Sequence, residues 1–255
     1  MLQLGAELVE KRALGPAQAC RLRAPALAAQ LGAGQAVLVR ATSGAFPALR
    51  RPFYPISVDA ETWTLRLPAD GDRGHAWLRA APVGTQIDCL GPVGLGYRCR
   101  PGTRHLLCLG EGDAAWYLLP AVHAATEQGL SVTLAAESLT LRQAVPAALL
   151  PLSAEYRLIT GNSGRPGEHL RRDGRELLAW ADVVFAAGSP GFYAGLTEAI
   201  MASRFSLKRG FAQVLYQGPL LCGTGACGAC TTEIAGRRHR VCLRGPVFDL
   251  VDVQP

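Results

Sequence analysis

No uninterrupted apolar run in the sequence approaches the ~18 residues that a membrane-spanning helix needs. The strongest candidate, Ala144 to Leu152, is short and broken by Pro146 and Pro151. No apolar segment follows a basic start near the N-terminus, where Glu7 and Glu10 interrupt the early apolar residues. A secretory leader and a membrane span are therefore not expected, and the cytoplasm is the expected compartment. The net charge of +6 is scattered apart from Arg237-Arg238-His239-Arg240, and no predicted helix carries a Lys/Arg stripe. Nucleic acid is accordingly not an expected partner. Fixed-period repeats and low-complexity tracts are also missing, as are Ser-His-Asp and paired-carboxylate constellations, so hydrolysis is not expected and no catalytic residue is assigned. His75, His105, His123, His169 and His239 lie far apart and show no metal-ligand spacing.

What remains is a folded chain of 255 residues, enough for at least two domains. Residues 1–102 read as a β domain. Short apolar or alternating runs (Cys20–Leu22, Ala36–Arg40, Ile56–Val58, Trp63–Leu67, Gln86–Leu90) are separated by Gly/Pro punctuation, the pattern of a sandwich or barrel. Residues 103–208 alternate strands with helices: Leu106–Leu109, a helix over Ala114 to Gln128, Leu130–Ala135, Arg157–Thr160, Val183–Ala186 and a helix ending near Ala202. That alternation predicts a parallel α/β sheet of Rossmann type. Residues 209–255 form a Cys/Gly-rich tail too short to build its own core, so a cofactor is expected to hold it.

The cysteines divide into two groups. Cys20, Cys89, Cys99 and Cys108 are isolated in sequence and read as small buried hydrophobes. Cys222, Cys227 and Cys230 follow a C-x4-C-x2-C spacing, and eleven residues separate Cys230 from Cys242. This is the order of ligands in plant-type [2Fe–2S] ferredoxins. A cluster of two irons needs four thiolates at tetrahedral corners, and a tight loop rich in glycine (Gly223, Gly225, Gly228) can present three of them. Backbone N–H groups of such a loop can point at the sulfurs and tune the potential. Zinc is the competing occupant, but zinc sites usually pair two C-x2-C knuckles and only one is present here. Arg237-Arg238-His239-Arg240, between the third and fourth ligands, is expected to be a solvated hairpin turn, with a docking patch as the alternative.

With the cysteines in view, the chain resembles the electron-transfer subunit of class 1B dihydroorotate dehydrogenase, within the ferredoxin-reductase-like superfamily. The resemblance is carried by Cys222–Cys230, by Arg240-Val-Cys242-Leu-Arg-Gly245-Pro246-Val247-Phe248-Asp249, by Gly34-Gln35, Arg51-Pro52 and Gly74-His75, and by Gly91-Pro92-Val93-Gly94-Leu95-Gly96. It implies an N-terminal barrel that binds FAD, an α/β domain that meets NAD(H), and a tail that holds the cluster. It also implies a cytoplasmic hetero-oligomer, a heterotetramer, with an FMN-binding catalytic subunit that oxidises dihydroorotate in pyrimidine biosynthesis. In the family an Arg-Pro-x-Ser motif binds FAD through its arginine, a task suited to a guanidinium facing phosphate. Arg51-Pro52-Phe53-Tyr54 matches its start, with Tyr54 where serine is usual, and Pro55-Ile56-Ser57 offers the second half in a shifted register. Leu65-Arg66-Leu67 corresponds to the strand lining the flavin, and Gly74-His75 to the step at the FAD pyrophosphate.

The nicotinamide site departs from that family. Where it has a run of glycines and then Ala-Pro, this chain has Gly110-Glu111-Gly112-Asp113-Ala114-Ala115-Trp116. Where it has Cys-Gly-Pro, this chain has Ala187-Gly188-Ser189-Pro190. Carboxylates in the first turn repel a pyrophosphate that glycines would admit, so NAD(H) binding stays open. Two alternatives to the leading reading are the reductase subunit of another multi-component oxidoreductase, of hydrogenase or sulfide type, and a non-enzymatic regulatory subunit that has lost NAD chemistry.

Overall fold

A computed structural model describes residues 1–41, 49–138, 140, 143–160, 167, 169–170 and 174–253. The chain forms two compact units. The first comprises Met1–Gly96, Gln217–Thr232 and His239–Pro246, and the second Tyr97–Tyr216, Glu233–Arg238 and Val247–Pro255.

The first unit is an antiparallel sheet of seven strands: β1 (Leu2–Leu14), β2 (Ala17–Arg23), β3 (Ala36–Arg40), β4 (Arg51–Phe53), β5 (Ser57–Val58), β6 (Thr62–Leu67) and β7 (Gln86–Val93). Their spatial order is β4-β3-β7-β1-β2-β6-β5. Side chains from six of these strands, with Trp63 fully buried, meet in a single core. Strands at both ends of the order can share one core only if the sheet wraps around it, which is the barrel-like form the sequence suggested. Two short helices, α1 (Pro25–Ala28) and α2 (Arg73–Ala80), lie in the connections. Asp72 caps α2, its carboxylate accepting from the N–H groups of Gly74 and His75.

Strand β3 is buried on both faces, and the alternation shows why. Val37 and Val39 enter the barrel core, whereas Leu38 points the other way and is still fully buried. Its cover is the cysteine loop. A Cβ on Gly223 would lie 3.3 Å from Leu38, 3.1 Å from Leu90 and 3.2 Å from Val93. The segment is held further by Leu95, whose N–H donates to the carbonyl of Gly245.

The second unit is a six-stranded sheet flanked by helices. Its strands are β8 (His105–Glu111), β9 (Ser131–Ser138), β10 (Glu155–Thr160), β11 (Val183–Ala187), β12 (Ala212–Leu215) and, from the C-terminal segment, β15 (Val247–Asp249). Before β15 come the hairpin strands β13 (Thr231–Ile234) and β14 (Arg237–Arg240). The order β10-β9-β8-β11-β12-β15 is parallel except for β15, which pairs antiparallel with β12. The helices are α3 (Leu119–Glu127), α4 (Arg175–Trp180), α5 (Pro190–Arg204) and, in the first unit, α6 (Val241–Arg244). The expected β plus parallel α/β organisation is present, and no helix among the described residues is long and apolar enough to cross a membrane.

Two local expectations need correction. Arg237–Arg240 is a strand, and the turn lies at Ala235-Gly236, both with positive φ (52° and 69°). Glycine lets that turn close, leaving the arginines to extend along β14. Cys20, Cys89 and Cys108 are buried as expected, with burial raising each thiol, but Cys99 is only partly covered because it lies in an irregular segment after β7. If Leu38 joins the cysteine loop to the sheet, Leu38→Ala lowers unfolding stability by about 2–5 kcal/mol. Chemical denaturation of the cluster-bearing protein measures it, and iron is lost at lower denaturant than in the wild type.

Candidate functional site

The four cysteines read as cluster ligands all belong to the first unit. Cys222, Cys227 and Cys230 lie on an irregular loop, and Cys242 sits in α6. The Sγ atoms of Cys230 and Cys242 are 3.4 Å apart. Two thiolates on one tetrahedral metal, with bonds of about 2.3 Å, sit about 3.8 Å apart. The two sulfurs thus lie close to the separation that two ligands of one metal would need. The N–H of Val241 donates to the carbonyl of Cys230, tying the loop to α6. Among the described residues, no three His, Cys, Asp or Glu side chains converge as ligands of a single ion.

Loop conformation follows from glycine. Gly223 (φ 71°) and Gly225 (φ 77°) adopt the left-handed region that other residues rarely occupy. At Gly225 a Cβ would also come within 2.5 Å of the Leu243 side chain. The resulting curl aims donors at sulfur. Burial alone would raise the Cys222 thiol, but the N–H groups of Cys227 and Thr224 and the Thr224 hydroxyl outweigh it and bring it down to about 6. Cys242 moves the other way, to about 12, through burial and then the bond it shares with Cys230. A Cys222 sulfur that accepts backbone N–H bonds suits an iron–sulfur cluster, whose sulfurs accept such bonds. The donor set fits the group.

The residues expected around FAD gather in part at α2. Arg51 begins β4, and its guanidinium lies 3.4 Å from the Asp72 carboxylate. Its Nε is buried without a hydrogen-bond partner. Gly74 leaves room for this side chain, since a Cβ there would lie 2.9 Å from Arg51 Cγ. His75 sits 2.9 Å from Asp72 through Nδ1, and its ring is 5.0 Å from that of Phe53. Burial alone would raise the Asp72 carboxyl, but the His75 ring and N–H, with the Arg51 charge, hold it below the usual carboxylate range. An orphaned guanidinium N–H beside a helix N-terminus is a fitting place for a phosphate.

The remaining expected residues are placed differently. Tyr54 is buried next to β4, and Pro52 pairs with Leu38 of β3. Leu65 and Leu67 belong to the barrel core, with the buried Arg66 on the alternate face of β6. Sequence reasoning missed Asp72, although an Asp just before a Gly-His helix start is an N-cap signal. It also missed Leu38, Leu90 and Val93 as the floor beneath the cysteine loop.

Replacing Cys230 or Cys242 by serine removes the cluster's visible absorption and most bound iron while the antiparallel unit keeps its far-UV circular dichroism. Iron assay and spectra check this. Arg51→Ala weakens FAD retention by about tenfold to a hundredfold, the worth of charge-assisted hydrogen bonds. Arg51→Lys recovers only part of it, and flavin released on desalting is the readout.

Residues 219–254 match the family model described as the iron–sulfur cluster binding domain of dihydroorotate dehydrogenase B. The electron transfer subunit of dihydroorotate dehydrogenase B (NAD(+)) from Streptococcus mutans is 28% identical over 236 residues, covering 88% of this chain and 87% of its own length. The subunit of the same name from Geobacillus kaustophilus is 26% identical, covering 84% of each chain. Among solved structures, an NADH-dependent reduced ferredoxin-NADP oxidoreductase superposes with a TM-score of 0.77 at 19% identity, covering 97% of this chain and 88% of that one. The ferredoxin reductase of carbazole 1,9a-dioxygenase gives 0.65 at 23% identity, covering 79% and 66%. The chain thus has the ferredoxin-reductase-like fold, matches the iron–sulfur cluster binding domain of dihydroorotate dehydrogenase B over residues 219–254, and is similar along most of its length to electron-transfer subunits of that enzyme.

Proposed function

We propose that this chain is an electron-transfer subunit that holds FAD on its antiparallel unit and a [2Fe–2S] cluster on Cys222, Cys227, Cys230 and Cys242. In this reading it passes electrons between a donor or acceptor and an FMN-containing dihydroorotate dehydrogenase catalytic subunit, in pyrimidine biosynthesis. The observation that carries the reading is the use of one strand by both sites. Leu38 of β3 lies beneath Gly223 of the cysteine loop and pairs in register with Pro52 of the flavin motif. Paired residues on antiparallel neighbours are about 4.5–5.5 Å apart. The two candidate cofactor sites are thus separated by little more than one strand and its side chains.

Bound FAD supplies exchange of an electron pair and the bound cluster supplies exchange of single electrons; the protein's own part is placement. Arg51 neutralises and orients phosphate at the start of α2, and Gly74 leaves space for that side chain. Phe53 and Tyr54 supply apolar and aromatic surface beside it. The four cysteines hold the irons, and Leu38, Leu90 and Val93 keep water from the inner side of their loop. On the outer side Cys227 is exposed and Leu243 is 47% exposed, which suits contact with a partner protein. We extend the reading to a hetero-oligomer with the FMN-binding subunit.

The test mixes the purified holo-subunit, anaerobically, with an FMN-binding dihydroorotate dehydrogenase catalytic subunit and dihydroorotate. The expected result is bleaching of both flavin and cluster absorption in this chain, dependent on the partner. Oxidation of dihydroorotate with no spectral change in this chain contradicts the proposal.

A further inference from the structure

The order of the α/β sheet reverses between β8 and β11, and on such sheets a dinucleotide binds outside the carboxyl ends of the strands flanking that point. Here the position is taken by the chain itself. Glu111, the last residue of β8, accepts a 2.7 Å hydrogen bond through Oε2 from the N–H of Ser189, the N-cap of the fifteen-residue α5. The neighbouring donors are engaged as well. The N–H of Gly188 donates to Tyr193 Oη at 2.9 Å, and Tyr193 Oη in turn donates to the carbonyl of Leu215 at 2.6 Å. The N–H of Phe192 donates to Ser189 Oγ at 3.2 Å.

Charge and space agree with this arrangement. The carboxyl of Glu111 is paired with no cation among the described residues. The parallel register sets Glu137 of β9 beside Glu111, and Asp113 follows in the first turn of the 3-10 helix Gly112–Leu118. Glu137 is itself buried and accepts from the N–H of Gly167, which leaves Glu111 as the carboxyl that meets the start of α5. A Cβ on Gly188 would lie 3.0 Å from Glu111 Cβ, so the two turns are already in close contact. Beneath them Ala115 and Trp116 are buried, and Trp116 Nε1 donates to the carbonyl of Gln143.

We infer that Glu111 is a built-in anion that occupies the nicotinamide-dinucleotide site, and that this chain does not take electrons from NAD(H). The carboxylate satisfies the Ser189 N–H that a ligand would need and adds a negative charge that a ligand would have to meet. Glu111 is then a specificity-determining residue. The inference rests on the relay reading, and its test separates the two.

Wild-type holoprotein, Glu111→Ala and Glu111→Gln are titrated anaerobically with NADH in a calorimeter, and each sample is afterwards reduced with dithionite. The expected result is no saturable binding in the wild type below about 1 mM, with affinity raised at least about tenfold in the alanine or the glutamine variant. Glutamine keeps the shape and removes the charge, so it decides the matter if alanine disturbs the fold. Micromolar binding by the wild type overturns the inference, as does unchanged affinity in both folded variants. Dithionite reports separately on the relay: samples with no reducible flavin or cluster refute that reading whatever NADH does.

Discussion

The structure depends on the contact between the Cys222–Gly223 loop and the outward face of β3 and β7. A loop of this composition has no apolar core of its own. It is seated because Leu38, Leu90 and Val93 present apolar side chains on the side of the sheet away from the barrel core, and Gly223 is small enough to lie on them at van der Waals distance. The dependence is mutual, since those side chains would otherwise be left in water at about 25 cal/mol per Å² of apolar surface. Because β3 also pairs with β4, the same contact brings the cysteines next to the strand that carries Arg51 and Pro52. Packing, rather than any single polar bond, sets the proximity on which the proposed electron transfer relies.

Among the described residues, the N-termini of α2 and α5 both meet a carboxylate of the chain itself, and their surroundings differ in the respect that matters. Asp72, at the start of α2, is 46% exposed and has the Arg51 guanidinium at 3.4 Å. In the proposed reading, a phosphate arriving there would meet the Arg51 cation beside a partly exposed carboxylate. Glu111, against the start of α5, has no such cation and stands in register with Glu137. The same capping chemistry therefore leaves one site receptive to an anion and the other filled.

Much of the organisation was legible in the sequence, and the reasons are physical. Apolar runs such as Ala36–Arg40 and Val183–Ala186 became strands because burial on both faces needs continuous apolar side chains. The cysteine spacing carried the metal chemistry because thiolate geometry tolerates few alternatives. Less visible was what depends on contacts distant in sequence. That Leu38 faces away from the barrel follows from alternation, but its cover, Gly223, lies far along the chain. Leu65 and Leu67 read as flavin-lining residues, yet their side chains fill the barrel core. The bond from Ser189 to Glu111 could not be read from either loop alone, although the carboxylates in the first turn already signalled a departure.

The central claim, a flavin and a [2Fe–2S] cluster side by side in this chain, is tested most directly by quantifying iron, acid-labile sulfide and flavin in anaerobically purified protein and recording its EPR spectrum after dithionite reduction. The account predicts about two irons and two sulfides per chain, one FAD, and a reduced-cluster signal integrating to about one spin. Stoichiometric zinc, with no labile sulfide and no EPR signal, would contradict it.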